Sequence, residues 1–127
     1  GLDEALRRGE ALAEAGADIV FIESPESVEE MRKIAANFHQ PLLANMVEGG
    51  RTPLLSKAEL EEIGFKIAIF PACGFLSVGA ALKKVYGHLL AHGSTSDFKG
   101  ELHDFNDFNK LMGFERVWAF DKANAED

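Results

Sequence analysis

Three short apolar runs constrain this chain most: Ile19-Val20-Phe21-Ile22, Pro41-Leu42-Leu43-Ala44-Asn45 and Ile67-Ala68-Ile69-Phe70-Pro71. None alternates apolar with polar residues, which suits strands covered on both faces, as in a parallel sheet. Between the runs lie segments of helical period. Residues 3–15 place Leu2, Leu6, Gly9, Leu12 and Ala13 on one small apolar face, with Asp3 expected as N-cap and Gly16 as the C′ residue. Ser27-Val28-Glu29-Glu30 has capping-box spacing, and Met31, Ile34, Ala35 and Phe38 follow at i, i+3, i+4, i+7. Ser56-Lys57-Ala58-Glu59 is a second capping box, opening a short helix that ends near Gly64. Two helix exits share the form Gly-x-x-Ile, Gly16 to Ile19 and Gly64 to Ile67, a weak internal repeat of one helix–strand unit. Strands alternating with helices need parallel pairing and right-handed crossovers, so the fold class is α/β.

After Pro71 the pattern changes. Residues 75–91 read as a long helix with Phe75, Val78, Leu82, Val85 and Leu89 turned inward. The run His92-Gly93-Ser94-Thr95-Ser96 breaks it. Residues 101–127 read as one or two further helices, loaded with Phe105, Phe108, Met112, Phe114, Val117 and Trp118. Such a stripe needs a partner surface, so the division expected is a strand-and-helix part over 1–100 and a helical tail over 101–127. That tail is expected to pack on a neighbouring subunit or on another part of the assembly.

Charge and cysteine content narrow the partners. Thirteen Lys and Arg against 21 Asp and Glu give a net charge of −8, which argues against a nucleic-acid surface or an anionic membrane. No apolar run approaches the roughly 20 residues of a membrane span. Cys73 is the single cysteine, so a reducing compartment, the cytoplasm first, is expected. The chain opens at Gly1 without an initiator Met and runs straight into a helix.

In parallel α/β architectures ligands bind beyond the carboxyl ends of the strands. Glu23 closes the first run, Asn45 closes the second, and Ala72-Cys73-Gly74 follow the third. After Asn45 comes Met46-Val47-Glu48-Gly49-Gly50-Arg51-Thr52-Pro53, which packs a carboxylate, two glycines, a guanidinium and a hydroxyl together. Arg51 offers a fork for a carboxylate or phosphate, and Glu23, Asn45 and Glu48 can hydrogen-bond a hydroxyl or order a shell. Each has a structural alternative. Glu23 and Asn45 serve equally as strand-end caps, Gly49-Gly50 as a turn, and Arg51 as a partner of Glu48 or of a helix end. Cys73 lacks an activating base and reads as an inert, partly buried thiol. His88 and His92 stand at i, i+4 without the Glu of a zinc helix and read as a solvated face; His39 and His103 read as surface residues.

Ile22-Glu23-Ser24-Pro25, and above all the stretch from Pro41 through Asn45, Glu48-Gly49-Gly50 and Arg51 to Thr52-Pro53-Leu54, resemble the phosphoenolpyruvate mutase/isocitrate lyase superfamily. The likeness is nearest to its 2-methylisocitrate lyase-like, dimethylmalate lyase-like and oxaloacetate decarboxylase-like branch. Ile69-Phe70-Pro71 and the tail from Phe105 to Gly113 add to it. The resemblance implies a (β/α)8 barrel whose final helix is exchanged between subunits of a homo-oligomer. This chain would supply the last three strand–helix units and the C-terminal helices. It implies cleavage or formation of a C–C or P–C bond beside a carboxylate, through a Mg²⁺-bound enolate-like intermediate. Glu23 and Asn45 would line the pocket of a small carboxylic-acid substrate, with Glu48 and Arg51 in the neighbouring loop.

Two departures qualify the resemblance. The acidic Mg²⁺-binding cluster and the acid/base Cys of the superfamily belong to earlier strands, so no metal ligand and no assured catalytic group is expected here, and Cys73 is not that Cys. Members acting on methylisocitrate carry an Arg shortly after the last strand's Pro; here Leu76 stands about there, favouring a smaller 2-oxo or 2-hydroxy diacid. The expected function is therefore part of a Mg²⁺-dependent lyase or decarboxylase, incomplete and inactive alone. Phosphonate mutase or hydrolase chemistry and a non-catalytic oligomerisation fragment are the alternatives. A (β/α)8 barrel takes about 250 residues, so 127 make roughly half of one.

Overall fold

A computed structural model describes residues 1–125. It divides into two compact units, Gly1–Ala80 and a second beginning at Ala81. The first unit holds α1 (Leu2–Glu14), β1 (Val20–Phe21), α2 (Val28–Asn37), β2 (Leu42–Asn45), α3 (Lys57–Ile63) and β3 (Ile67–Ile69). The strands form one parallel sheet in the order β1-β2-β3, registered Val20 on Leu42, Leu43 on Ile67 and Asn45 on Ile69. The α/β class is as the apolar runs require.

Local sequence explains the helix ends. Helix α1 stops where Gly16 takes φ +103°; its N–H donates to the Ala13 carbonyl and that of Ala17 to Leu12. This is the paired closure that a left-handed glycine permits. At the other end the expectation needs correcting: α1 starts at Leu2 with Gly1 as N-cap, because the Ala5 N–H already bonds the Gly1 carbonyl. Asp3 instead joins Glu4 in the first turn, where carboxylates favour the positive end of the helix dipole. Ser56 and Glu59 form the full reciprocal capping box on α3. On α2 only half of it forms: Ser27 Oγ accepts from the Glu30 N–H, but Glu30 returns to the Glu26 N–H, one residue earlier than the box requires.

Side-chain alternation sets where the core sits. Val20, Leu42 and Ala44 face the helices and are almost fully buried, together with Met31, Ile34, Phe38, Met46, Leu60 and Phe65. Gly9 lets α1 approach this core closely, since a Cβ there would lie 2.6 Å from Phe38 Cζ. Burial of the strands on both faces is not found. Phe21 and Ile69 stay 44% and 40% exposed, because α1–α3 cover one face of the sheet only. Leu12 is likewise 63% exposed rather than part of the buried face.

Helix α4 (Cys73–His92) starts two residues before the expected Phe75 and contains no buried residue. Phe75, Val78, Leu82 and Leu89 are exposed and Val85 is half-buried, so the inward stripe read from the period is apolar but uncovered. Beyond it, α5 (Phe105–Leu111) is capped by Asp104, whose carboxylate accepts from the Asn106 and Asp107 N–H groups, and α6 is Phe114–Asn124. All six apolar residues of the tail stripe are exposed. The part of the expected tail that falls on Glu126 and Asp127 lies outside the described residues. No described helix is long and apolar enough to cross a membrane.

One pH effect follows from α1. The guanidinium groups of Arg7 and Arg8, which donate to Glu4 at 2.7–2.8 Å, hold its carboxyl at about 2 against an ordinary 4.5. A lowered folded-state pKa contributes stability that is complete above 4.5 and lost as pH falls toward 2. Thermal midpoints measured between pH 6 and pH 2 should therefore fall less in Glu4→Gln than in wild type. Equal slopes would mean that the cluster is not formed in solution.

Candidate functional site

The carboxyl ends of β1 and β2 carry the polar residues singled out by position. Asn45 closes β2 on the face shared with Leu43 and Ile69, opposite the helix-covered core. Its backbone is fixed against β3: Asn45 is registered on Ile69, and the Met46 N–H donates to the Ile69 carbonyl at 2.8 Å. Met46 is fully buried and its Sδ accepts from the Leu55 N–H, which ties the start of the following loop to its end. Within that loop the Gly50 N–H bonds the Val47 carbonyl across a turn that places Gly49 at φ +74°, a conformation glycine takes without strain.

Two oxygens at this end of β2 are buried and have no hydrogen-bond partner, Asn45 Oδ1 and Glu48 Oε2. Leaving an amide or carboxylate oxygen unpaired away from water costs on the order of 1–3 kcal/mol, more for a charged group. A strand-end cap would have spent Asn45 on a backbone N–H. Neither residue does so through these atoms.

Glu23 and Arg51 meet at one cavity of ≈ 370 Å³, which Ser24, Glu26 and Glu30 also line. A narrower crevice shares Ile22, Ser24 and Pro25 with it and reaches Asn45 and Thr52. The structure thus brings Glu23 and Arg51 to one cavity, while Asn45 lines only the neighbouring crevice of ≈ 10 Å³ and Glu48 lines neither. The Arg51 guanidinium sits 3.6 Å from Glu26, both side chains mostly exposed, rather than on Glu48. Exposed pairs of this kind contribute little, about 0–1 kcal/mol, so the fork is readily released to an anion.

One residue escaped the sequence reading. Ser24 is the single described non-glycine residue with positive φ, +54°, and its Oγ donates to Glu23 Oε1 at 2.7 Å. The signal was weak because a residue before proline is normally extended.

Other candidates move away from chemistry. Cys73 is exposed rather than partly buried, its Sγ against the Phe70 carbonyl, because it sits on the first turn of the uncovered α4. His88 is not merely solvated: Nε2 lies 2.9 Å from Asp97, the ring stacks on His92, and its side chain is 18% exposed. His39 and His103 are exposed. Among the described residues no group of three His, Cys, Asp or Glu comes together to hold a metal. Asn45 Oδ1 and Glu48 Oε2 are hard oxygen donors, but two are short of the several that Mg²⁺ demands. These residues do not make a Mg²⁺ site.

The phosphoenolpyruvate phosphomutase family profile matches residues 1–90. The 2,3-dimethylmalate lyase of Eubacterium barkeri is 47% identical over 117 residues, covering 92% of this chain and 40% of that protein. A 2-methylisocitrate lyase of Bacillus subtilis is 39% identical, over 99% of this chain and 42% of its own length. A crystal structure of 2,3-dimethylmalate lyase, a PEP mutase/isocitrate lyase superfamily member, superposes with a TM-score of 0.81 at 32% identity, over 95% of this chain and 42% of that one. This chain spans about 40% of the length of the relatives it matches. With the parallel strand–helix units, the Asn45-to-Pro53 element and these matches in agreement, the chain belongs to the phosphoenolpyruvate phosphomutase family, within the PEP mutase/isocitrate lyase superfamily.

Proposed function

We propose that the protein containing this segment is a lyase or decarboxylase acting on a small 2-oxo or 2-hydroxy carboxylic acid, through an enolate-like intermediate and with Mg²⁺. In this reading Glu23, Asn45, Glu48 and Arg51 belong to the substrate pocket. The observation that carries it is the pair of buried, unpartnered oxygens of Asn45 and Glu48 at the carboxyl end of β2. Its support is that Asn45 lines a crevice sharing Ile22, Ser24 and Pro25 with the cavity that holds Glu23 and Arg51.

The roles follow from chemistry. Arg51 binds a substrate carboxylate through its fork. The Asn45 Nδ2 group donates to a substrate oxygen on which negative charge develops, an interaction strongest in the transition state. Glu23 accepts from a substrate hydroxyl. Mg²⁺ rests on the family resemblance, and since the described residues do not gather its ligands, no step is routed through it. Leu76, with no cation near it in sequence from Ala72 to Val78, favours a diacid over a tricarboxylate. A reducing compartment, the cytoplasm first, completes the reading on the strength of a single cysteine.

The test is an assay of the complete protein on oxaloacetate and on malate-type acids, with Mg²⁺ and with EDTA. Turnover that EDTA abolishes is expected. Absence of turnover on every acid of the panel contradicts the proposal.

The exposed stripe of Phe105, Phe108, Met112, Phe114, Val117 and Trp118 favours a second role, subunit association with exchange of the last helix. Deleting residues 101–127 should lower the number of subunits per assembly, measured by light scattering. An unchanged number of subunits removes the tail from the interface.

A further inference from the structure

We infer that Ser24 is a positioning residue, held in a strained left-handed conformation so that its hydroxyl fixes the carboxylate of Glu23. The inference rests on the reading of Glu23 as a pocket residue. The first observation is the backbone. Ser24 takes φ +54°, the single positive φ among described non-glycine residues, immediately before the buried Pro25. A left-handed residue with a Cβ is strained, and Pro adds restriction to the residue it follows. Strain of this kind persists where surrounding structure enforces it.

The second observation is what the strain accomplishes. Ser24 Oγ donates to Glu23 Oε1 at 2.7 Å, a charge-assisted bond. No other side chain lining that cavity bonds Glu23: the Arg51 guanidinium lies 3.6 Å from Glu26, and the Glu30 carboxylate accepts from the Glu26 N–H. The Ser24 hydroxyl is thus the group that orients Glu23. Glycine would hold this backbone without strain but without a donor. Asparagine tolerates the left-handed region and keeps a donor on a short side chain.

Those two substitutions separate the roles. In the complete protein, Ser24→Gly should raise the thermal midpoint by about 2–4 °C through release of strain. It should also lower kcat at least about tenfold with KM changed less than about threefold, because orientation acts on the reacting geometry more than on binding. Ser24→Asn should restore kcat to within about threefold of wild type. Crystal structures of the same two variants give a readout independent of turnover. The Glu23 carboxylate should occupy several rotamers in Ser24→Gly and one in Ser24→Asn. A single wild-type rotamer of Glu23 in Ser24→Gly overturns the inference, as does an unchanged kcat in that variant. If wild-type protein turns over none of the acids, the reading of the pocket fails by itself, and the rotamer comparison still decides the role of Ser24.

Discussion

Asn45→Ala in the complete protein is expected to reduce kcat by at least about tenfold while leaving stability nearly unchanged. The size follows from the kind of interaction lost. Removing one preorganised donor from a site where charge develops typically costs about 10²–10³ in rate. The preorganisation here is visible in the backbone, since register on Ile69 and the Met46-to-Ile69 hydrogen bond hold Asn45 against β3. The neutrality in stability is the more discriminating half. Most buried asparagines hold a backbone group, and losing one destabilises the fold by leaving that group unpaired. Asn45 Oδ1 has no partner to abandon, so its removal relieves a desolvated oxygen instead. Steady-state kinetics beside urea unfolding checks both halves. A near-wild-type rate would make Asn45 a strand-end residue without a role in the pocket.

The largest expected loss of stability lies elsewhere, at Met31→Ala. Met31 is wholly buried in the cluster it forms with Val20, Ile34, Phe38, Leu42, Ala44, Met46, Leu60 and Phe65. Truncating a buried methionine to alanine costs about 2–5 kcal/mol, from lost transfer energy and from the cavity left behind. Collapse into that cavity is limited because the wall is made of strands, whose register fixes Val20 against Leu42. Urea titration should show a lower midpoint at an unchanged slope, the signature of a stability change without a change in unfolded surface. A shift under about 1 kcal/mol would mean that α2 is not seated on the sheet as described.

How far the sequence discloses the fold depends on whether the deciding interaction is local. Capping at Ser56 and the glycine exit at Gly16 are settled within four or five residues, and both are legible. The three strands are legible as well, because unbroken apolar runs between helical periods have few other uses. Burial is a different matter. The period of α4 identifies an apolar stripe but cannot say what covers it, and Phe75, Val78 and Leu82 are exposed. Leu12 fails for the same reason, being apolar and in phase yet exposed. At the site, strand-end position is enough to nominate Glu23 and Asn45. It is not enough to see Ser24, whose backbone angle opposes what a following proline usually dictates. The partner of Arg51, Glu26 rather than Glu48, depends on how the β1–α2 turn folds toward the loop after β2, and no spacing encodes that.

Under the proposed function the carboxyl ends of β1 and β2 receive a small carboxylic acid. The most direct measurement is a crystal structure of the complete protein with Mg²⁺ and oxalate, a planar dianion with the shape of an enolate carboxylate. Oxalate is expected beside Glu23 and Asn45, within hydrogen-bonding distance of the Asn45 Nδ2 group or of Arg51. Oxalate bound elsewhere, with Glu23, Asn45 and Arg51 all untouched, would contradict the account.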